Sequence, residues 1–278
     1  MGFLRIAVVN VCLGAALSAA PTSVQVLEYD FQGATIAAEQ GKSRRTVIVE
    51  GHARVHGNQI RIDLDPSGTA TSHMADYYML GLEDGKKIQW INPYARQFYE
   101  VFAEVGDAGL ILAPSSGDLV PEMRNIRISV DKLQDSTELL GHPTIHYRYS
   151  QSLDVLSERS HTIHNRFTAD YFFPADIPNF VNPLLFRAVY SAPEKVPDEY
   201  GNLVRSEVGK LPKLAPLRSI YLDVNEDATT KETSTESTTF EVTGLHIGTA
   251  TTGEFEVPAG FKRIDRPRLP LIKPKVSD

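Results

Sequence analysis

Apolar and polar residues alternate with a period of two along most of this chain. Leu27, Tyr29 and Phe31 share one side of a run whose other side carries Glu28 and Asp30. Ile60, Ile62 and Leu64 alternate with Arg61 and Asp63, and Ile145, Tyr147 and Tyr149 with His146 and Arg148. That period belongs to strands of a sheet with one apolar and one wet face. β-Branched and aromatic residues, which suit such a surface, are frequent in these runs.

Turn residues separate the runs. Gly57-Asn58 divides a strand around Val47–Val55 from one around Gln59–Leu64. Asp84-Gly85, a hairpin dipeptide, divides Tyr77–Leu82 from Lys86–Ile91, and Asn92-Pro93 turns the chain into Arg96–Phe102. Residues 44–102 therefore read as a five-stranded antiparallel meander, whose connections need only a few residues each. Residues 103–122, with many Gly, Pro and Ser, read as a loop holding one short helix near Asp107–Leu112. Further strands are expected at Ile126–Leu133, Thr137–Leu140, Thr144–Ser150, Thr162–Thr168, Leu203–Val208 and Leu217–Val224. Asn182-Pro183 offers the cap and first turn of a short helix over Leu184–Tyr190. Thr229–Thr239 is almost all Thr, Ser, Glu and Lys. It reads as a solvated edge strand running on toward Ile247, with low-complexity coil as the alternative. No linker splits the pattern, so one mainly β, mostly antiparallel domain is expected over residues 20–265.

The N-terminus changes the picture. Arg5 precedes a run, Ile6–Leu17, that is apolar apart from Asn10, and Leu17-Ser18-Ala19-Ala20 supplies small residues. This predicts a signal peptide over residues 1–19, cut after Ala19, since the run is too short to span a bilayer. The expected destination is the exterior of the cytoplasm, a bacterial periplasm first. Cys12 is the single cysteine and lies inside that signal. A cysteine-free mature chain excludes thiol catalysis, zinc–thiolate sites and iron–sulfur clusters. The net charge of −7 disfavours nucleic acid as a partner. Against that balance, Lys262–Lys275 holds six basic residues and one acid. Residues 266–278 read as a basic, Pro-rich tail, either simply solvated or making peripheral contact with anionic lipid headgroups or an acidic partner.

Candidate chemistry is sparse. His52 and His56, His142 and His146, and His161 and His164 invite a metal reading. On strands, however, residues four apart are separated by about 13 Å, and residues three apart face opposite ways. No Gly-x-Ser-x-Gly elbow and no phosphate-cradling glycine loop occurs. No catalytic residue, metal ligand or cofactor is assigned. The aromatic residues say more. Tyr29, Phe31, Trp90, Phe98 and Tyr99 concentrate in the first half, and Tyr171, Phe172 and Phe173 begin a second cluster. They read either as an ordinary core or as the lining of an apolar cavity, which needs few special groups.

The runs Ile60-Arg61-Ile62-Asp63, Asp84-Gly85-Lys86-Lys87-Ile88-Gln89-Trp90-Ile91-Asn92-Pro93 and Arg96-Gln97-Phe98-Tyr99-Glu100 resemble the outer-membrane lipoprotein-sorting superfamily, which includes LolA and LolB. Glu138–His142, Pro212–Leu217 and Phe255–Phe261 resemble its uncharacterised exported relatives, so the resemblance spans about 24 to 264. It implies a single curved, unclosed antiparallel sheet, a half-barrel with a few short helices, holding an apolar molecule, lipid or lipoprotein acyl chains in its hollow. Tyr29, Phe31, Ile60, Ile62, Trp90, Phe98 and Tyr99 would line that hollow. The chain is longer than the carriers and poorer in helices for a lid. Two other readings stay open: a non-catalytic envelope scaffold with a filled core, and an unrecognised hydrolase.

Overall fold

A computed structural model describes residues 22–39, 45–65, 76–83, 87–102, 122–156, 161–177, 198–212 and 214–265. The expected signal, the helices near 107–112 and 184–190, the Asp84-Gly85 turn and the basic tail lie outside these residues. The described strands are β1 (Ser23–Glu39), β2 (Arg45–His56), β3 (Gln59–Leu64), β4 (Tyr78–Leu82), β5 (Lys87–Asn92), β6 (Gln97–Phe102), β7 (Glu122–Lys132), β8 (Glu138–Leu139), β9 (His142–Leu156), β10 (Thr162–Pro174), β11 (Arg218–Asp227), β12 (Thr233–Thr251) and β13 (Lys262–Arg263). They form one unclosed sheet in the order β13-β6-β5-β4-β3-β2-β1-β12-β11-β10-β9-β7, with β8 beside β9. The meander β2–β6 is the one the turn residues predict. Every pairing is antiparallel except the short parallel one between β13 and β6.

The hairpins follow from local chemistry. Leu140 and Gly141 both take positive φ (53° and 79°) between paired Leu139 and His142, the geometry a tight two-residue turn needs. Gly57 (φ 59°) does the same at the first turn position between His56 and Gln59. The long pairing of β1 with β12 joins the two ends of the chain in the middle of the sheet. Thr243 is one residue too many in that pairing: Asp30 faces Gly244, but Phe31 faces Val242. The bulge lets Val242 and Leu245 face the same side, although they are three apart.

Two sequence expectations are corrected. The Thr/Ser-rich run is not at an edge. β12 is paired on both sides, by β1 and β11. One of its buried hydroxyls is satisfied across the pairing with β1, where Thr238 Oγ1 bonds Thr35 Oγ1 at 2.9 Å. Leu203–Val208 is not a strand but the end of helix α1 (Asp198–Val208). Tyr200, Val204 and Val208 recur every four residues, which puts them on one helical face. That face packs on Val130, Tyr149, Ala169, Tyr171 and Tyr221 of β7, β9, β10 and β11. Glu207 of α1 also accepts the backbone N–H of Val130 at 2.9 Å, occupying a donor on the outermost strand.

The segment after β12 wraps the other face. A 3₁₀ turn, Thr252–Phe255, puts Phe255 against Val26 and Ala250. Val257 and Phe261 then cover Tyr78, Leu80, Ile91 and Phe98, and β13 ends on β6. Strands β4–β6 are thus buried on both sides.

Candidate ligand-binding face

Cross-strand pairing decides which side chains meet. Tyr29 pairs with Ala53, Ala53 with Ile62, Ile62 with Met79, Met79 with Trp90, and Trp90 with Tyr99. Paired residues share a face, so these six form one apolar row running across β1–β6. Five steps of about 4.8 Å make that row roughly 24 Å long. Ile60 lies in the adjacent row with Val55, and Phe31 in the row on the other side, opposite Gly51 and Val242. Six of the seven residues expected to line a hollow, Tyr29, Phe31, Ile60, Ile62, Trp90 and Tyr99, therefore belong to one cluster, none more than 5% exposed. Trp90 stacks on Tyr99 with centroids 6.3 Å apart, and Phe31 meets Phe240 at 5.5 Å.

Phe98 does not join them. It is the neighbour of Tyr99 on β6, so it points to the opposite face, where it pairs with Ile91 and packs in the cluster under Phe261. Phe172 likewise leaves Tyr171 and Phe173 for the opposite face, where its ring stacks on His146 at 4.3 Å.

The same inner face continues beyond β1. Gly33 pairs with Phe240, Phe240 with Ser219, Ser219 with Tyr171, and Tyr171 with Tyr147. Tyr149, Phe167, Tyr221, Tyr171 and Phe173 form a chain of ring contacts 5.7–6.0 Å between centroids. Sequence reading missed Phe167 and Tyr221, though both hold the apolar phase of their strands. Burial pushes the phenols of Tyr149, Tyr200 and Tyr221 up, that of Tyr221 to about 12.

Between the two aromatic clusters runs a seam of hydroxyls: Thr35, Thr238, Ser219 and Tyr221. Thr35 and Thr238 bond each other. Ser219 Oγ and the Tyr221 hydroxyl are buried without a hydrogen-bond partner. The hydroxyls of Ser219 and Tyr171 lie close enough to Tyr221 to temper the rise of its phenol, but not in bonding geometry. Leaving a buried hydroxyl unbonded costs about 1–3 kcal/mol.

Phe31 needs the glycine beneath it. A Cβ on Gly51 would come 2.7 Å from the Phe31 ring and 2.8 Å from the Asp63 carbonyl oxygen. Gly51→Ala is expected to displace the ring and cost about 1–3 kcal/mol, read as a lower urea midpoint at unchanged slope. Wild-type stability in that variant would mean Phe31 is loosely held.

Beside the bulge the opposite face is polar, whereas under Phe255, Val257 and Phe261 it is apolar. A cavity of about 470 Å³ beside the bulge is lined by Asp30, Glu50, His52, Asp63 and Asp65, among others. Its carboxylates make it a poor seat for an apolar molecule. The described histidines are dispersed: His52 bonds Asp30 at 2.8 Å, His142 bonds Asp176 at 3.0 Å and His164 bonds Asp154 at 2.6 Å, whereas His56 bonds the Gln25 carbonyl oxygen at 3.2 Å. His146 bonds Asp135 through Nδ1 and Asp170 through Nε2, both at 2.9 Å. Among the described residues no three His, Asp or Glu side chains could hold a metal ion.

No family model and no curated protein matches the sequence. Among solved structures, the chain is similar to that of PNGF-II at 8% identity and TM-score 0.32, over 86% of this chain and 31% of that one. It spans about a third of that protein's length. It is also similar to the LolA superfamily protein NE2245 from Nitrosomonas europaea, at 13% identity and TM-score 0.24, over 79% of this chain and 87% of that one. At such scores neither likeness decides fold or activity.

Proposed function

We propose that this is an exported, non-catalytic carrier that holds an apolar or lipid-like molecule against the inner face of its sheet. The observation that supports it is the row from Tyr29 to Tyr99. It crosses six strands without a charged side chain and is long enough for a long-chain acyl group. Apolar contact supplies the affinity, at about 25 cal/mol for each Å² removed from water. Such a site needs shape and few polar groups, and no reacting pair. The lipoprotein acyl chain suggested by the sequence motifs is one ligand of this chemistry. The envelope is where a signal over residues 1–19 would deliver it.

Native mass spectrometry of the mature protein purified from its own envelope, followed by organic extraction, tests this. A co-purifying lipid or other apolar molecule is expected. A clean apo mass with no uptake of added palmitate or diacylglycerol would reduce the inner face to a filled core and leave the scaffold reading in its place.

A further inference from the structure

Resting on the carrier reading, we propose that the ligand is an amphiphile with a neutral carbonyl, an ester or amide, received jointly by Ser219 Oγ and the Tyr221 hydroxyl. Polar groups inside a protein are nearly always bonded. Here two hydroxyls on successive inner-face positions of β11 are buried without a partner. Ser219 is fully buried, and Tyr221 is 7% exposed. They stand at the seam between the two aromatic clusters, with Phe240 on one side of Ser219 and Tyr171 on the other.

The number and kind of donors select the ligand. Each hydroxyl brings one O–H, and a carbonyl oxygen has two lone pairs to receive them. Charge narrows the choice further. The row of Ser219 runs through Lys132, Tyr147, Tyr171, Ser219, Phe240 and Gly33. Lys132 is its one cation, exposed on the last strand and three strands away. The neighbouring Arg218 and Arg148 face the other side, where Glu241 and Asp170 take them. A carboxylate at the seam would be buried without a counter-ion, which is costly. A neutral ester or amide carbonyl meets the same two donors without that cost. The apolar row from Tyr29 to Tyr99, on the side away from α1, then takes the chain of the same molecule.

Three probes of matched chain length separate the possibilities: methyl palmitate, palmitate and hexadecane, each titrated into the mature protein and into the double variant Ser219→Ala/Tyr221→Phe. Wild type is expected to prefer methyl palmitate over hexadecane by roughly tenfold or more, and over palmitate as well. The double variant should lose that preference while still taking hexadecane. Because neither hydroxyl has a partner in full bonding geometry among the described residues, the variant's thermal midpoint should match or exceed wild type. Equal binding of ester and hydrocarbon by wild type, or an ester preference that survives in the variant, overturns this inference and leaves the carrier standing. A variant that is markedly less stable shows that the hydroxyls serve the core, and overturns it too. No binding of any probe overturns both.

Discussion

Truncating Trp90 to alanine should abolish ligand retention, whereas truncating its near neighbour Phe98 should leave retention intact. Both changes remove an aromatic ring from strands that are buried on both sides. Trp90 is 5% exposed and stacks on Tyr99 in the inner row. Phe98 packs on Ile91 and Phe261 on the reverse side. A buried Trp→Ala change costs about 3–5 kcal/mol, and the partly exposed Phe98 should cost less. Stability alone therefore cannot separate the two faces, and retention must be measured on folded protein. Urea midpoints give the first quantity, and co-purified ligand per chain by native mass spectrometry gives the second. Equal loss of ligand in both variants would show that retention follows stability and not the face.

The second large effect is expected at Asp170. Its carboxylate accepts from Arg148 Nε at 2.8 Å and from His146 Nε2 at 2.9 Å. His146 is 5% exposed, stacks on Phe172, and gives its other ring nitrogen to Asp135. Both ring nitrogens thus lie within bonding distance of a carboxylate. Asp170→Ala would leave a buried ring nitrogen and a guanidinium without their acceptor. Breaking a fully buried ion pair costs about 3–5 kcal/mol, and partial exposure of Asp170 reduces this to about 2–3. Asp135→Ala, at an open position, should do far less.

The pH dependence of Asp170 follows from the same contacts. Burial raises its pKa, but hydrogen bonds from Arg148 and His146 outweigh that and hold it below the usual range. A depressed folded pKa means the stabilisation is complete above the unfolded value and is lost as pH falls through the folded one. Wild type should therefore lose stability below about pH 4, and Asp170→Ala should show a flatter acid limb. An acid limb unchanged by the substitution would remove Asp170 from the explanation.

Much of the fold was readable because alternation and turn chemistry are local. Gly57-Asn58 and Gly141 mark hairpins by φ alone, and Ile60-Arg61-Ile62-Asp63 states its own two faces. What failed was set by pairing at a distance. Phe98 and Tyr99 are adjacent on one strand and cannot share a face. Trp90 pairs with Tyr99, so it is Phe98 that turns away. The Thr/Ser run reads as an edge because its polarity suits solvent, yet β1 and β11 claim both its sides. The Thr243 bulge breaks the alternation that would have put Val242 and Leu245 on opposite faces. Tyr200, Val204 and Val208 carried a helical period in a stretch short enough to pass for a strand. Ser219 was legible only in retrospect, as a serine in an apolar phase. That its hydroxyl has no partner is a property of the packed structure, and no sequence pattern reports it.

Trp90 is the single tryptophan of the chain, and it sits on the inner face, second from the end of the row and stacked on Tyr99. Its fluorescence therefore reports on that face alone. Titration with a fatty acyl chain brominated along its length, a contact quencher, should give saturable quenching that unbrominated chain competes away. Quenching that is absent, or that rises linearly with no saturation, would contradict an acyl chain lying against Tyr29, Ile62, Trp90 and Tyr99.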